Sequence, residues 1–226
     1  MKTTSIRIEY KDVFHRRDLN FLENNIVSSR FCFRRHHPCR RVNSLYFDTI
    51  NLDSYQESLE GTSFRTKRRI RWYGSEENKV PATLEFKKKL SYKSYKILWR
   101  NIFTISRNGR CWDEFVVSQD KQHSTRKLLS NVFPTSLISY FRSYFISFDG
   151  KIRITLDKDL KFYDQRLSSF PNNKFYRSNS QIIVLEIKAE EKDELHLSRF
   201  LKTFPFAPSR FSKYCESMHF MNKTTF

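Results

Sequence analysis

The stretch Arg65-Thr66-Lys67-Arg68-Arg69-Ile70-Arg71-Trp72-Tyr73 decides how the rest of the chain is read. In a strand, successive side chains point to opposite faces. Arg65, Lys67, Arg69 and Arg71 then form one cationic row, with Thr66, Arg68, Ile70 and Trp72 on the reverse. Four like charges on one face repel one another, so the row favours a polyanion. A single row of this kind can equally be a solvated basic edge strand. What separates the two readings is whether other strands repeat the arrangement.

Several do. Arg7-Ile8-Glu9-Tyr10-Lys11 sets Arg7, Glu9 and Lys11 against Ile8 and Tyr10. Thr83 to Lys89 sets Glu85, Lys87 and Lys89 against Leu84 and Phe86, and Gln181 to Ala189 sets Glu186 and Lys188 against Leu185 and Ile187. Leu137 to Phe148 carries Tyr140, Arg142 and Tyr144 in alternation and runs into Asp149-Gly150, a hairpin signal. Lys151 to Asp157 places Arg153, Thr155 and Asp157 on one face. An ordinary sheet with a charged wet side accommodates this pattern. A barrel with a polar interior and helices over its apolar outside accommodates it too. The barrel gives the charges a task. Arginine and lysine bind phosphate oxygens, bidentately for arginine. Carboxylates among them hold a hard divalent cation that bridges phosphates.

Composition agrees with an anionic partner. The 226 residues carry 42 Lys plus Arg against 24 Asp plus Glu, a formal net charge of +18. With 22 Phe and 11 Tyr a core is affordable, and one domain over residues 1–226 is expected. Only 4 Gly and 6 Pro argue against disorder and against a glycine-rich phosphate cradle, and no GxxxxGK[ST] loop is present. No apolar run reaches membrane-spanning length, and Met1 to Ser5 lacks the apolar core of a signal peptide. Cys32, Cys39, Cys111 and Cys215 are scattered, which suits reduced thiols in a cytoplasmic protein; the cluster Cys32, His36, His37, Cys39 matches no usual zinc spacing.

The remaining elements follow from local pattern. Asp18 to Val27 reads as a helix with Leu19, Leu22 and Ile26 inward and Asp18 as N-cap. Arg30 to Arg41 is basic and irregular, broken by Pro38; Asn43 to Thr49 is a strand, and Leu52 to Leu59 a helical turn. Loops are expected at 74–78, at Ser91 to Lys96 and over Leu160 to Ser180, with a strand from Ile97 to Ile105. Trp112 to Ser130 reads as helical with a polar break near Gln119 to Ser124, and Asp193 to Thr203 as an amphipathic helix. Asp48 and Asp157 read as turn-closing residues, with a role in the site as the lesser alternative.

In order, these segments resemble the VTC domain, the polyphosphate polymerase domain of the triphosphate tunnel (CYTH-like) superfamily. The carriers are Arg7-x-Glu9-x-Lys11, Leu45-Tyr46-Phe47-Asp48-Thr49, Arg69-x-Arg71-Trp72-Tyr73-Gly74, Leu84-Glu85-x-Lys87, Tyr140-x-Arg142, Arg153-Ile154-Thr155-x-Asp157, Leu185-Glu186-x-Lys188 and Ser212-Lys213-Tyr214. The resemblance implies an α+β fold: an antiparallel eight-stranded β-barrel with helices packed outside. It implies transfer of the terminal phosphate of ATP onto polyphosphate with a divalent metal, Mn2+ or Mg2+. Arg69, Arg71, Lys87, Arg153 and Lys213 match the family's catalytic phosphate-binding residues. Lys11, Arg65, Lys67, Lys89, Arg142, Lys188 and Ser212 are substrate-binding candidates, and Glu186, Glu9 and Glu85 the metal candidates. Either Lys93 or Lys96 supplies a further cation, and Lys89 stands where some members carry histidine. The chain resembles the stand-alone bacterial form, without regulatory domain or membrane segments.

Two rivals stand beside this reading. Superfamily triphosphate hydrolases usually begin Glu-x-Glu-x-Lys; Arg7 here replaces the first carboxylate, which favours holding a long anion over activating water. A non-enzymatic polyphosphate or RNA binder would also use the charge. The aromatic residues fall mostly on apolar faces, however, and paired glutamates oppose a nucleic-acid groove.

Overall fold

The computed structural model describes residues 2–3, 7–74, 79–90, 93–106, 108–118 and 129–223. Alternation becomes strand almost wherever it was read. The long strands are β2 (Arg7–His15), β3 (Arg34–Asp48), β4 (Phe64–Tyr73), β5 (Lys79–Leu90), β6 (Lys93–Ser106), β8 (Phe133–Ile146), β9 (Ile152–Asp164) and β11 (Ile182–Glu190). Short pieces are β1 (Lys2–Thr3), β7 (Val116–Ser118) and β10 (Arg177–Asn179). Helices are α1 (Leu19–Val27), α2 (Asp53–Glu60), α3 (Trp112–Phe115), α4 (Glu194–Leu201) and α5 (Lys213–Asn222).

All strands join one antiparallel sheet of 11 strands in the order β1-β6-β5-β4-β3-β8-β9-β11-β2, with β10 on β9 and β7 on β6. The fold is α+β, but the expected closed eight-stranded barrel is not what the described residues form, because no strand joins β2 to β6. The reason lies at the outer edge of β6. There β1 pairs at Ile97 and Leu98 and β7 at Phe103 to Ile105, and among the described residues no ladder runs from β6 to β2. The sheet nevertheless curls, as twisted sheets do. Lys87 on β5 reaches Glu9 on β2 at 3.2 Å across the gap.

Three apolar clusters hold this shape. One packs Leu22 and Ile26 of α1 and Leu197 and Phe200 of α4 on the outer side chains of β9 and β11. A second gathers Leu45, Ile70, Trp72, Leu84, Phe103 and Phe115 behind β3 to β6. Trp72 thus lies in the outer core, as its face predicts. The third is different. Tyr214, Met218 and Met221 of α5 pack on Val42, Tyr46, Ile138 and Tyr140, which share the face of Ser44 and Arg142. Helix α5 therefore enters the concave side, where the sequence reading put every helix outside.

Other differences have local causes. The segment read as irregular before Arg41 is the first half of β3; Pro38 is absorbed by register shifts between Arg35 and Arg40. Pro81 is tolerated in β5 because β4 pairs only from Thr83 onward, leaving that edge open. The loop expected up to Lys96 becomes strand from Lys93, and Leu160 to Asp164 continues β9. The helix expected from Trp112 stops at Phe115 and turns into β7, and the part from 119 to 128 lies outside the described residues, as do 75–78 of the expected loop. Asp18 occupies the N-cap of α1 but bonds to His15 N at 3.2 Å instead of capping that helix. The hairpin at Asp149-Gly150 forms, with Gly150 at φ 74.

Candidate active site: a charged concave face

The first wall comes from β4 and β5. Cross-strand register sets Arg69 opposite Glu85. Arg69 Nε and Nη2 donate to Glu85 Oε2 at 2.8 and 2.5 Å, and its Nη1 donates to the Tyr46 hydroxyl at 2.8 Å. Arg71 Nη1 reaches Glu85 Oε1 at 3.4 Å. Burial would push the Glu85 carboxyl up, but Arg69, Arg71 and Lys96 hold it far below the usual carboxylate range. Both of its oxygens are taken by arginine.

The opposite wall is assembled from β2, β8, β9, β11 and α5. Asp157 is fully buried and does not close a turn. It accepts from Arg142 Nε at 2.5 Å and Nη2 at 2.6 Å, and from Lys213 Nζ at 2.5 Å. Lys213 also lies 3.2 Å from Glu186 Oε1. Around Glu186 stand Lys188, Lys11 at 3.8 Å and Arg142 at 3.5 Å. Burial raises the Glu186 carboxyl, but Lys188, Lys213, Lys11 and Arg142 outweigh it and hold the pKa well below the ordinary value. Glu9 joins the group through Lys11 at 3.2 Å and Lys87 at 3.2 Å. Its carboxyl, raised by burial, is brought well below normal by Lys188, Lys11 and Lys87. Thr155 lies between Tyr144 and Glu186 in register, and its buried Oγ1 has no partner among the described residues. An orphaned hydroxyl in a charged cleft is where a ligand oxygen would bond.

Lys213 depends on a device the sequence reading missed. Ser212 caps α5, accepting from Cys215 N at 3.4 Å and from Lys67 Nζ at 2.8 Å. The next residue after Lys213, Tyr214, stacks on Tyr46 at 5.1 Å and donates to Asp48 Oδ2 at 2.6 Å. Asp48 is buried, and its carboxylate also accepts from Ser54 N and Tyr55 N at the start of α2. One aspartate therefore ties α2 to α5 and fixes Lys213. Nothing local in sequence signalled this, because the partners are separated by 166 positions.

Not every candidate converges. Arg65 turns away to the Thr62 carbonyl at 3.1 Å, Lys89 is half-buried as its strand partner, and Arg153 is exposed at the far end of β9. Of Lys93 only the backbone is described. Lys96 borders Glu85, Arg69, Lys188 and Arg71; burial first, and then the neighbouring cations, lower its pKa to about 7. The four cysteines are free thiols, with Cys32 and Cys39 exposed. No group of three His, Cys, Asp or Glu able to hold a metal occurs among the described residues. No helix of the described residues is long and apolar enough to cross a membrane.

The VTC domain model matches residues 6–222. The chain belongs to the VTC domain family. No curated protein sequence matches it. Among solved structures it is similar to PH1819 from Pyrococcus horikoshii, at 12% identity and TM-score 0.52, covering 96% of this chain and 98% of that one. It is also similar to HpAC1 from Hippeastrum, a protein with a dominant triphosphatase activity, at 16% identity and TM-score 0.50, covering 96% of each. At such identities these two likenesses speak for the fold. The family match and the two likenesses thus agree on a VTC-type fold.

Proposed function

We propose that this VTC domain is a polyphosphate polymerase, a single domain over residues 1–226 that transfers the terminal phosphate of ATP onto a growing chain. One observation carries this choice over hydrolysis. Arg7 is exposed at the end of β2, opposite Glu190 in register, so the first strand contributes one carboxylate, Glu9, to the concave face. Cations outnumber carboxylates there, which suits retention of a long anion.

The donor set fits a divalent cation in part. Glu9 and Glu186 are hard oxygen donors bridged by Lys11, whereas Glu85 is saturated by two arginines. Two carboxylates completed by phosphate oxygens is the kind of site magnesium and manganese accept. Such an ion would neutralise charge on the transferring phosphoryl group. The chain's own groups supply the remainder. Arg69 and Arg71 present a fixed cationic wall for phosphate oxygens. Lys11, Lys87, Lys188 and Lys213 shift from Glu9 and Glu186 to phosphate as the anion enters, while Asp157 keeps both Arg142 and Lys213. Lys67 and Ser212 lie toward one end of the cleft and Arg153 at the other, with Arg65 and Lys89 outside the converging set.

Incubation with ATP and Mn2+, followed by gel separation of polyphosphate, tests this. A ladder of long chains with matching ADP is expected. Phosphate released from triphosphate without chain growth overturns it in favour of a hydrolase, the second reading that the triphosphatase activity of HpAC1 supports.

A further inference from the structure

Strand β3 outruns its neighbour. It pairs with β8 from Arg34 onward, but with β4 only from Val42, opposite Tyr73. Among the described residues, 34–40 therefore project beyond β4 as a ledge paired along one edge, roughly 20 Å long once its bulges are allowed for. The sequence there is Arg34-Arg35-His36-His37-Pro38-Cys39-Arg40, and 34–39 are exposed.

The cations of this ledge differ from those of the inner site. Arg69, Arg71, Arg142 and Lys213 each have a carboxylate. Arg40 has none among the described residues. Its guanidinium lies 4.0 Å from the Tyr73 ring centroid and 5.0 Å from that of Tyr144, and its Nε donates to the Tyr144 hydroxyl at 3.2 Å. Its Nη groups bond to nothing described. Arg34 and Arg153 likewise have no carboxylate within ion-pair distance among the described residues. The rings of His36 and His37 lie 4.1 Å apart, and His37 meets Tyr144 edge-on at 5.4 Å. Partial burial, then His37, Arg153 and Arg34, hold the His36 imidazole below its ordinary pKa, so these cations surround one spot. Arg35 faces elsewhere, toward Glu23 and Phe145.

Charge and proline on an unpaired edge ordinarily serve to block edge-to-edge association. Pro38 and Arg34 suffice for that. Blocking an edge does not require an arginine immobilised between two tyrosines with its outer donors free, which is a preorganised anion contact. The ledge also lies at the right end. Helix α5 fills the concave face around Tyr46 and Ser136, where Ser217 meets Ser136 at 2.5 Å. In register Arg40 lies opposite Arg142 and His37 opposite Tyr144, so the face that carries Arg142 continues onto the ledge.

We propose that residues 34–40, with Arg40 as the central contact, bind the part of a polyphosphate chain that extends beyond the concave site, making the protein selective for long chains over triphosphate. This rests on the polyphosphate reading above but not on synthesis. The test is calorimetric binding of triphosphate and of long-chain polyphosphate at several salt concentrations, for the full chain and for Arg34→Ala/Arg40→Gln. Expected is a loss of about tenfold in long-chain affinity with triphosphate affinity unchanged, and a shallower salt dependence by roughly one unit per cation removed. Arg34→Glu, at an exposed position, deepens the long-chain loss. Equal loss for both ligands, no loss for either, or equal competition by single-stranded RNA overturns the ledge. Failure to make polyphosphate from ATP sinks the polymerase reading alone and leaves length-selective binding to be judged on its own result.

Discussion

Two carboxylates on the concave face are held in opposite ways. Glu85 sits in plain cross-strand register with Arg69, clasped by two arginines from one neighbouring strand. Glu186 is reached by groups from four elements, three of them lysines, and its contact to Arg142 is long at 3.5 Å. A guanidinium fork fixes geometry, whereas an ammonium is a point charge on a flexible stem. The β4–β5 wall is therefore a fixed cationic surface. The β9–β11–α5 wall can exchange lysine for another cation or for phosphate. Asp157 makes that exchange affordable, because it keeps Arg142 and Lys213 compensated while Glu186 changes partners.

The largest effect tests that dependence. Asp157→Asn preserves volume but strips the buried countercharge from Arg142 and Lys213. Unfolding in urea should show a loss of about 3–5 kcal/mol. A loss below about 1 kcal/mol, the scale of an exposed pair, would break the distinction between the two walls.

A smaller pair of changes sharpens it. Glu186→Gln should keep the fold and lower metal-dependent turnover by about a hundredfold or more, while raising the metal concentration at half-activity. Glu85→Gln should leave that metal concentration unmoved and alter phosphate affinity instead, by a few-fold, since only arginine positioning changes. Metal titration of both variants reads the contrast directly. Equal shifts in the two would mean that Glu85 is as exchangeable as Glu186.

The same contrast explains what could be read in advance. Pairs set by strand alternation were legible: Arg69, Arg71, Glu85, Lys87, Glu186 and Lys188 fall on the faces their spacing gives. Contacts assembled by topology were not. Asp157 sits in a motif that also suits a turn, and only the packing of α5 turns it into the partner of Lys213. Helix α5 itself was hidden because its capping Ser212 is a weak signal alone. The open sheet was equally invisible: alternation says which way side chains point, not which edge a two-residue strand at Lys2 will occupy.

Between the two walls stands Lys96, and it yields the finest discrimination. Burial, with Arg69, Lys188 and Arg71 nearby, brings its pKa from 10.5 to about 7 despite Glu85. Lys87 and Lys67 are lowered in the same direction. Between about pH 7 and 10.5 the unfolded chain binds more protons at this position than the folded one, so its destabilising contribution is full below pH 7 and is relieved as pH rises. Anion binding runs the other way. A polyphosphate favours the ammonium form, so triphosphate binding takes up a proton, and affinity falls as pH rises above about 7. Lys96→Gln should flatten that fall while leaving the fixed Arg69–Glu85 wall in place. Proton uptake measured by calorimetry in buffers of different ionisation enthalpy gives the answer: an unchanged uptake in Lys96→Gln would move the titrating group away from the border between the walls, to Lys87 among the exchangeable lysines or to Lys67 beside Ser212.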